Sequence, residues 1–417
     1  MCYKNKKLLI LAGAPAHIKI IKAAREMGVY TIVTDNIRNS PGKQFADESW
    51  DISTTDVQAI VDRCREAHVS GVLNYCIQTA QRPYLEICSL LGLPCYGTRL
   101  QFEIMNDKRK FKDLCKQHSI AVVPEYKIDD ISGGNVEYPV LVKPTDSRGS
   151  RGQSVCYCPQ DVFRAIEKAK VESFSGSYLI EKYMTDCLDV ALAYMVIDGR
   201  PYLVKIGDRY LGSKDDGLDR QQLATVLPST ITPLYLDSVH NKVCSMIRRL
   251  GVQYGPVFLQ GFWRNGEMYM YDPALRFPGT DFDVVQKAAT GFDSISSLIR
   301  FSLTGDCKSC YGNPVDSYFY KNGACVIFSV SAHEGRIVDI EGFDEVCNDK
   351  RVLSGVLLRS AGDIIQKTGD IRQRVAEFVG YVNSRDEVGD FRDFILDRFF
   401  IVGCGGRDMR IVSDFEN

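Results

Sequence analysis

The chain has 417 residues, 45% of them hydrophobic and 25% charged, with a formal net charge of −2. That length suggests two to three domains at roughly 150 residues each, with ample core. A near-neutral charge argues against a dedicated nucleic-acid binder, which carries a basic face, and no apolar run nears the roughly 18 residues of a membrane helix, so no membrane partner is expected.

The opening "MCYKNKKLLILAGAPAH" has only the short apolar stretch "LLILAGA" and is read as a first strand rather than a leader. The 15 cysteines are scattered, and Cys307 and Cys310 make a single C-x-x-C with no second close pair for zinc. Reduced thiols in a cytoplasmic protein are therefore expected. Residues 7–33 read as strand, glycine turn, helix and strand, with Ile18, Ile21, Ala24 and Met27 recurring at three-residue steps and Gly28 placed as a cap. Helices over 57–68 and 80–91 flank the strand "GVLNYC", and this alternation predicts a parallel sheet. The "GAP" turn lacks the G-x-G-x-x-G pattern of a dinucleotide site.

A helix is predicted over 106–118, with Asp107, Lys108 and Lys112. Residues 138–185 read as strand, glycine-rich loop, strand, helix and strand. "VALAYMVIDGRPYLV" is a strand pair across an Asp-Gly turn, followed by helices over 237–250 and 282–302 around a hairpin. Beyond Gly305 the texture is strand-rich, with an amphipathic helix over 386–398 and a last strand "FFIVGCG".

Three stretches carry chemistry. In "YPVLVKPTDSRGSRGQSV" Lys143 ends a strand, and the loop offers Ser147, Gly149, Ser150 and Gly152, whose backbone N–H groups can close over phosphates, beside Arg148 and Arg151. In "SYLIEKYM" a strand carries Glu181 just before a bend, where backbone groups can serve an adenine; Asp189 begins the next strand and could hold ribose hydroxyls. In "QGFWRNGEMYMYDPALRFPG" an acid, Asp272, and Arg276 share one face of a strand. Lys205, Asp208 and Arg209 end a strand and read either as phosphate or acceptor contacts or as a surface ion cluster.

The order Lys108, Lys143 with its loop, Glu181, Asp189 and the 260–276 hairpin resembles the ATP-grasp enzymes, in the biotin carboxylase and carbamoyl phosphate synthase branch. The resemblance spans essentially the whole chain. It implies an α/β ATP-grasp fold: a Rossmann-like domain over 1–98, an ATP-grasp domain over 99–305 with a mobile lid about 122–185, and a strand-rich region over 306–417 packing on the core. It implies Lys108 and Lys143 as phosphate lysines, "TDSRGSRG" as the closing loop, Glu181, Lys182 and Met184 as the adenine linker, and Asp189 at the ribose position. Gln260 and Asp272 fall at the metal positions and Arg276 at the transferred phosphoryl group, making Arg276 and Lys143 the catalytic pair. ATP and magnesium are the implied cofactors, with manganese left open as a substitute.

The implied activity is ATP-dependent ligation, in which a carboxylate becomes an acyl phosphate and an amine or similar nucleophile displaces phosphate. A carbamoyl phosphate synthase-like or bicarbonate-dependent carboxylase reaction ranks second, and a nucleotide-binding pseudoenzyme third. The partners implied are small carboxylates and amines, with a homodimer left open. Two positions depart from the family pattern: its usual glutamate is the shorter Asp272, and its usual asparagine two residues later is Ala274. The hairpin also sets a register problem. A strict two-residue Asn265-Gly266 turn pairs Leu259 with Asp272 and turns Gln260 away, so an irregular turn, by a bulge or a three-residue loop, is expected.

Overall fold

The computed structural model describes residues 3–146, 151–212, 218, 221–279, 282–312 and 323–412. Its N-terminal part is a parallel sheet of four strands in the order Glu48–Trp50, Tyr30–Thr34, Lys7–Leu11, Gly71–Leu73. Leu8, Leu9, Ile10 and Leu11 are all fully buried, as expected of a strand covered on both faces. One cover is helix Ile18–Glu26, which buries Ile20, Ile21 and Ala24. The strand Glu48–Trp50 at the sheet edge has no strong local signal and is absent from the sequence reading.

The centre of the molecule is a nine-stranded antiparallel sheet among the described residues. From one edge it runs Glu267–Ala274, Tyr254–Arg264, Leu188–Ile197, Arg200–Leu211, Gln222–Leu227, Ala324–Ala332, Arg374–Val382 and Val352–Leu357, with Arg410–Ile411 added on Ala324–Ala332. Strands from the last third of the chain therefore continue the sheet begun by residues 188–274. Their opposite face is closed by helix Val388–Leu396, whose Val388, Phe391 and Ile395 pack with Phe378 and Val382.

A separate antiparallel sheet of four strands, Glu125–Tyr126, Tyr178–Lys182, Val140–Pro144 and Ser154–Cys156, carries helix Pro159–Glu172. It has its own small core of Val140, Val142, Ile166, Ala169 and Ile180, distinct from the main one. A unit with its own core can shift without opening the rest.

Two long helical readings are broken in the structure. The segment 282–302 is two helices, Phe282–Thr290 and Ser294–Thr304, separated at Gly291 and restarted by Asp293, whose carboxylate caps Ser296 N–H at 2.8 Å. The second of them lies so close to the parallel sheet that a Cβ on Gly71 would meet the Ser302 carbonyl oxygen. The segment 237–250 divides into Thr232–Ser238 and His240–Leu250. No described helix is long and apolar enough to cross a membrane, and the described cysteines form no disulfide with one another.

Candidate active site

The small sheet faces the edge of the large one across an open cleft. Its lining combines the apolar Val123, Leu141, Met184 and Phe262 with the charged Lys108, Lys143, Arg151, Arg209, Asp272 and Arg276. Lys182, Asp189 and Gln260 line it as well.

Each wall is positioned by local structure. Asp107 caps helix Lys108–Gln117 by accepting from Arg109 N–H at 2.8 Å and Lys110 N–H at 3.1 Å. That cap sets Lys108 at the first helical position, and its own N–H donates to the Thr145 carbonyl at 3.1 Å, tying the helix to the glycine loop. One turn on, Lys112 shares the helix face. Its Nζ lies 2.5 Å from Glu181 Oε1, while Lys143 Nζ lies 2.6 Å from Glu181 Oε2. The Glu181 side chain is thus clasped between two lysines at 1% exposure. Burial alone would raise its pKa, but the charges of Lys143 and Lys112 win and hold the carboxyl below its ordinary range. Burial also lowers Lys143, against the pull of Glu181.

The adenine-linker reading of Glu181 rests on its backbone; its side chain is the anchor that aims Lys143. Met184 sits with Val123 and Phe262 in a small apolar cluster. The Lys182 side chain turns outward to Glu137 at 2.6 Å. Asp189 is engaged by Arg209 Nη1 at 3.0 Å and by the Tyr271 hydroxyl at 3.0 Å, and Arg209 also donates to Tyr271 at 2.8 Å. Burial disfavours the Arg209 charge, but Asp189 outweighs it and raises its pKa.

The hairpin resolves its own register problem away from the turn. The Asn265-Gly266 turn is a regular two-residue turn with positive φ at both positions, 52° and 81°, and Arg264 pairs with Glu267. Of the two alternatives, the bulge is present and the three-residue loop is not: Gln260 pairs with Asp272 and Gly261 with Met270, leaving Tyr271 as the extra residue. Gln260 and Asp272 therefore stand side by side on the cleft face. Asp272 Oδ1 accepts from Lys108 Nζ at 3.0 Å. Arg276 donates to the Phe277 carbonyl at 3.0 Å, and its buried Nε has no partner.

The structure brings together Lys108, Lys143, Lys182, Met184, Asp189, Gln260, Asp272 and Arg276 along one cleft. Gly152 is set back: it holds φ +75° against Pro144 and Glu172, while its neighbours Arg151 and Gln153 reach the cleft. Ser147, Gly149 and Ser150 lie outside the described residues. The trio Lys205, Asp208 and Arg209 is not a surface ion cluster. Asp208 faces the far side of the sheet, fully buried, and binds Arg385 Nη2 at 2.6 Å and Thr230 N–H at 3.0 Å. Lys112, named on its helix without a role, and Tyr271 are the residues whose part the sequence reading missed. The spacing of Lys108 and Lys112 signals a shared helix face; nothing local signals the bulge that aims Tyr271.

A small antiparallel sheet closing over the edge of a large one, with a lysine from each side of the gap, is decisive for the fold. The chain has the ATP-grasp fold. Residues 107–261 match the family described as carbamoyl-phosphate synthase L chain, ATP binding domain. The 2-oxoglutarate carboxylase small subunit of Hydrogenobacter thermophilus is 24% identical over 275 residues, covering 59% of this chain and 56% of that protein. The chain thus spans little more than half the length of that relative. Among solved structures, the biotin carboxylase domain of H. thermophilus 2-oxoglutarate carboxylase, in complex with MgADP, ADP and bicarbonate, superposes with a TM-score of 0.78 at 19% identity, covering 97% of this chain and 91% of that one. The L-amino acid ligase from Bacillus licheniformis superposes with a TM-score of 0.77 at 16% identity, covering 96% of this chain and 99% of that one. The ATP-grasp chain described here is similar to both the carboxylase and the ligase lineages.

Proposed function

We propose that this ATP-grasp protein is an ATP-dependent ligase that activates a carboxylate as an acyl phosphate and joins it to an amine or similar nucleophile. One observation carries the reading: a single cleft is lined by an apolar group at Met184 and Phe262 and by several cations together with Gln260 and Asp272. That combination suits a nucleotide, with the adenine at the apolar group and the phosphates among Lys108, Lys143 and Arg276. In this reading Asp189, held by Arg209 and Tyr271, takes the ribose hydroxyls. The nucleotide-binding domain so formed comprises residues 99–305, with 122–185 as the lid, between a Rossmann-like domain over 1–98 and the strand-rich remainder.

In the reaction, a carboxylate oxygen attacks the γ-phosphorus, the bond from that phosphorus to the bridging oxygen breaks, and ADP leaves. The nucleophile then attacks the acyl carbon, the carbon–oxygen bond to phosphate breaks, and the amine proton passes to solvent or base. Charge accumulates on phosphate oxygens throughout, so fixed cations do most of the work. Lys143 is held rigid by Glu181. Arg276 keeps an unpartnered Nε for a phosphoryl oxygen.

The carboxylate of Asp272 and the amide oxygen of Gln260 are hard donors standing side by side, a pair fit for magnesium, or manganese in its place. When bound there, the metal neutralises phosphate charge. Ala274 supplies no third oxygen, which keeps the pseudoenzyme reading as an outcome to test. The names of the similar proteins favour bicarbonate as an alternative carboxylate. An ADP-release screen with magnesium across amino acids, bicarbonate and dipeptide precursors tests all three readings. Turnover with an organic carboxylate and an amine supports the proposal, bicarbonate-dependent turnover moves it to the carboxylase class, and ATP binding with no turnover for any substrate leaves the pseudoenzyme.

A further inference from the structure

A second cleft adjoins the first. Gln78 lines both, and two more stretches of chain pass between them: Lys108 and Pro144 line the nucleotide cleft, while Asp107 and Asp146 line the second. Three parts of the fold build its walls: helix Gln81–Leu91 with the turn before it, helix Arg99–Asn106, and the turn that follows helix Pro159–Glu172 on the small sheet. That last turn is fixed by Asp146, whose carboxylate accepts from the Ser173 hydroxyl at 2.6 Å, from Phe174 N–H at 3.1 Å and from Ser175 N–H at 2.9 Å. The turn thereby lends the Phe174 ring, 73% exposed, to the cleft lining, where Leu85 and Phe102 add further apolar surface.

The carboxylates of this cleft are already engaged. Glu86 pairs with Arg82 at 2.9 Å and Glu103 with Lys110 at 3.8 Å. Asp107 caps its helix and Asp146 holds its turn. The remaining cation, Arg99, is exposed on the first turn of its helix. Polar contact for a neutral group comes from two carboxamides. Gln78 Nε2 donates to Asn106 Oδ1 at 3.4 Å, and Gln78 Oε1 has no hydrogen bond among the described residues. A carboxamide oxygen accepts an amine N–H and leaves the nitrogen lone pair free, whereas a carboxylate holds the protonated ammonium, which is not a nucleophile. The cations Lys108 and Arg276 of the first cleft suit a carboxylate; Gln78, which both clefts share, suits an amine.

We propose that the second cleft is the site of the nucleophile and that it takes a primary amine with an apolar body. The body lies against Leu85, Phe102 and Phe174, and Gln78 holds the nitrogen where the two clefts meet. The proposal rests on the ligase reading and names the substrate class of its second step. There the nitrogen bonds to the acyl carbon, the bond from that carbon to the phosphate oxygen breaks with its electron pair leaving on phosphate, and the nitrogen gives a proton to water. Gln78 and Phe174 are positioning and selecting residues in this step. A polar or doubly charged amine gains nothing from the apolar wall and finds no unengaged carboxylate.

The test measures binding rather than turnover, which separates it from the ligase reading. Saturation-transfer NMR on the full chain with a non-hydrolysable ATP analogue uses phenethylamine, ethanolamine and putrescine as probes. Phenethylamine is expected to bind, and the other two at least about tenfold more weakly. Phe174 is exposed and Gln78 half-buried, so variants at both keep the fold. Phe174→Ser is expected to bring phenethylamine down to the level of ethanolamine, a loss of selectivity that general destabilisation does not produce. Gln78→Leu is expected to weaken phenethylamine about tenfold while nucleotide affinity by calorimetry stays within about threefold. Equal binding of the three amines, phenethylamine affinity unchanged in both variants, or no binding of any probe to the native chain overturns the proposal. Selective phenethylamine binding with no ADP release for any carboxylate overturns the ligase reading instead and leaves the amine site standing.

Discussion

Gln260 stands directly opposite Asp272 in the hairpin ladder, and the bulge at Tyr271, not the turn, puts it there. The same bulge sends the Tyr271 hydroxyl to Asp189, so one extra residue aligns both the metal-type donors and the ribose-type acid. Shifting a strand by one residue flips every side chain to the other face. Inserting one alanine between Tyr271 and Asp272, which moves Asp272 out of register with Gln260, is therefore expected to abolish nucleotide binding outright, whereas Tyr271→Phe, which keeps the bulge, is expected to cost about 1 kcal/mol of stability and to weaken nucleotide binding only a fewfold. Calorimetric titration of both variants with ATP distinguishes register from hydroxyl.

Lys143→Met is expected to weaken ATP binding with the fold intact. The loss of one charge-assisted contact to phosphate costs about 1.5–3 kcal/mol, or roughly 10- to 150-fold in affinity. Glu181 keeps Lys112 as a partner in this variant, so the folded state retains a paired carboxylate. Unchanged nucleotide affinity by calorimetry would remove Lys143 from the site.

Lys112→Met has the opposite profile. Lys112 is 1% exposed and does not line the cleft. Breaking a buried pair from one side costs about 3–5 kcal/mol. A fall in the urea midpoint larger than that of Lys143→Met, with a smaller effect on nucleotide affinity, is the expected result; the reverse order in either measurement contradicts the anchoring role of Glu181.

Ala274→Asn restores the oxygen that the hairpin lacks. Position 274 is 2% exposed and packs beside Phe258, so the larger side chain is expected to cost about 1–3 kcal/mol of stability. If Gln260 and Asp272 hold magnesium, the same variant lowers the magnesium concentration needed for half-maximal nucleotide binding several-fold. A magnesium titration with an unchanged midpoint shows that residue 274 does not reach the metal.

Lys205 gives a pH dependence with a definite sign. Its folded pKa is depressed to about 7 by burial, with Arg209 adding to it and Glu377 opposing. Between pH 7 and the ordinary lysine value the unfolded chain binds the extra proton, so this group makes stability rise with pH across that window, by up to about 1.4 kcal/mol per pH unit. Below pH 7 the buried charge exerts its full penalty. Urea midpoints at pH 6.5, 8 and 9.5 are expected to climb less steeply in Lys205→Met than in the native chain. Parallel curves would show that Lys205 titrates normally.

Much of this architecture is written locally. The apolar run Leu8–Leu11, the three-residue spacing in helix Ile18–Glu26 and the Asn265-Gly266 turn each depend on neighbours a few residues away, and each is legible by itself. So is the existence of the site: a lysine ending a strand beside glycines, and an acid and an arginine on one strand face. The break at Gly291 was also legible, since Asp293 is an N-cap signal, but the apolar pattern ran across it. What the sequence by itself could not determine depends on pairings between distant strands and helices. Glu181 meets Lys112 across 69 positions, and only the docking of the small sheet on helix Lys108–Gln117 gives its side chain the clasp of Lys143. The face taken by Lys205 and Asp208, one toward the cleft and the other toward Arg385, follows from register with strands on both sides. Local sequence specifies which residues alternate; only tertiary pairing decides which of the two alternating faces meets the cleft, because the two assignments differ by a single residue of slip that no local interaction distinguishes.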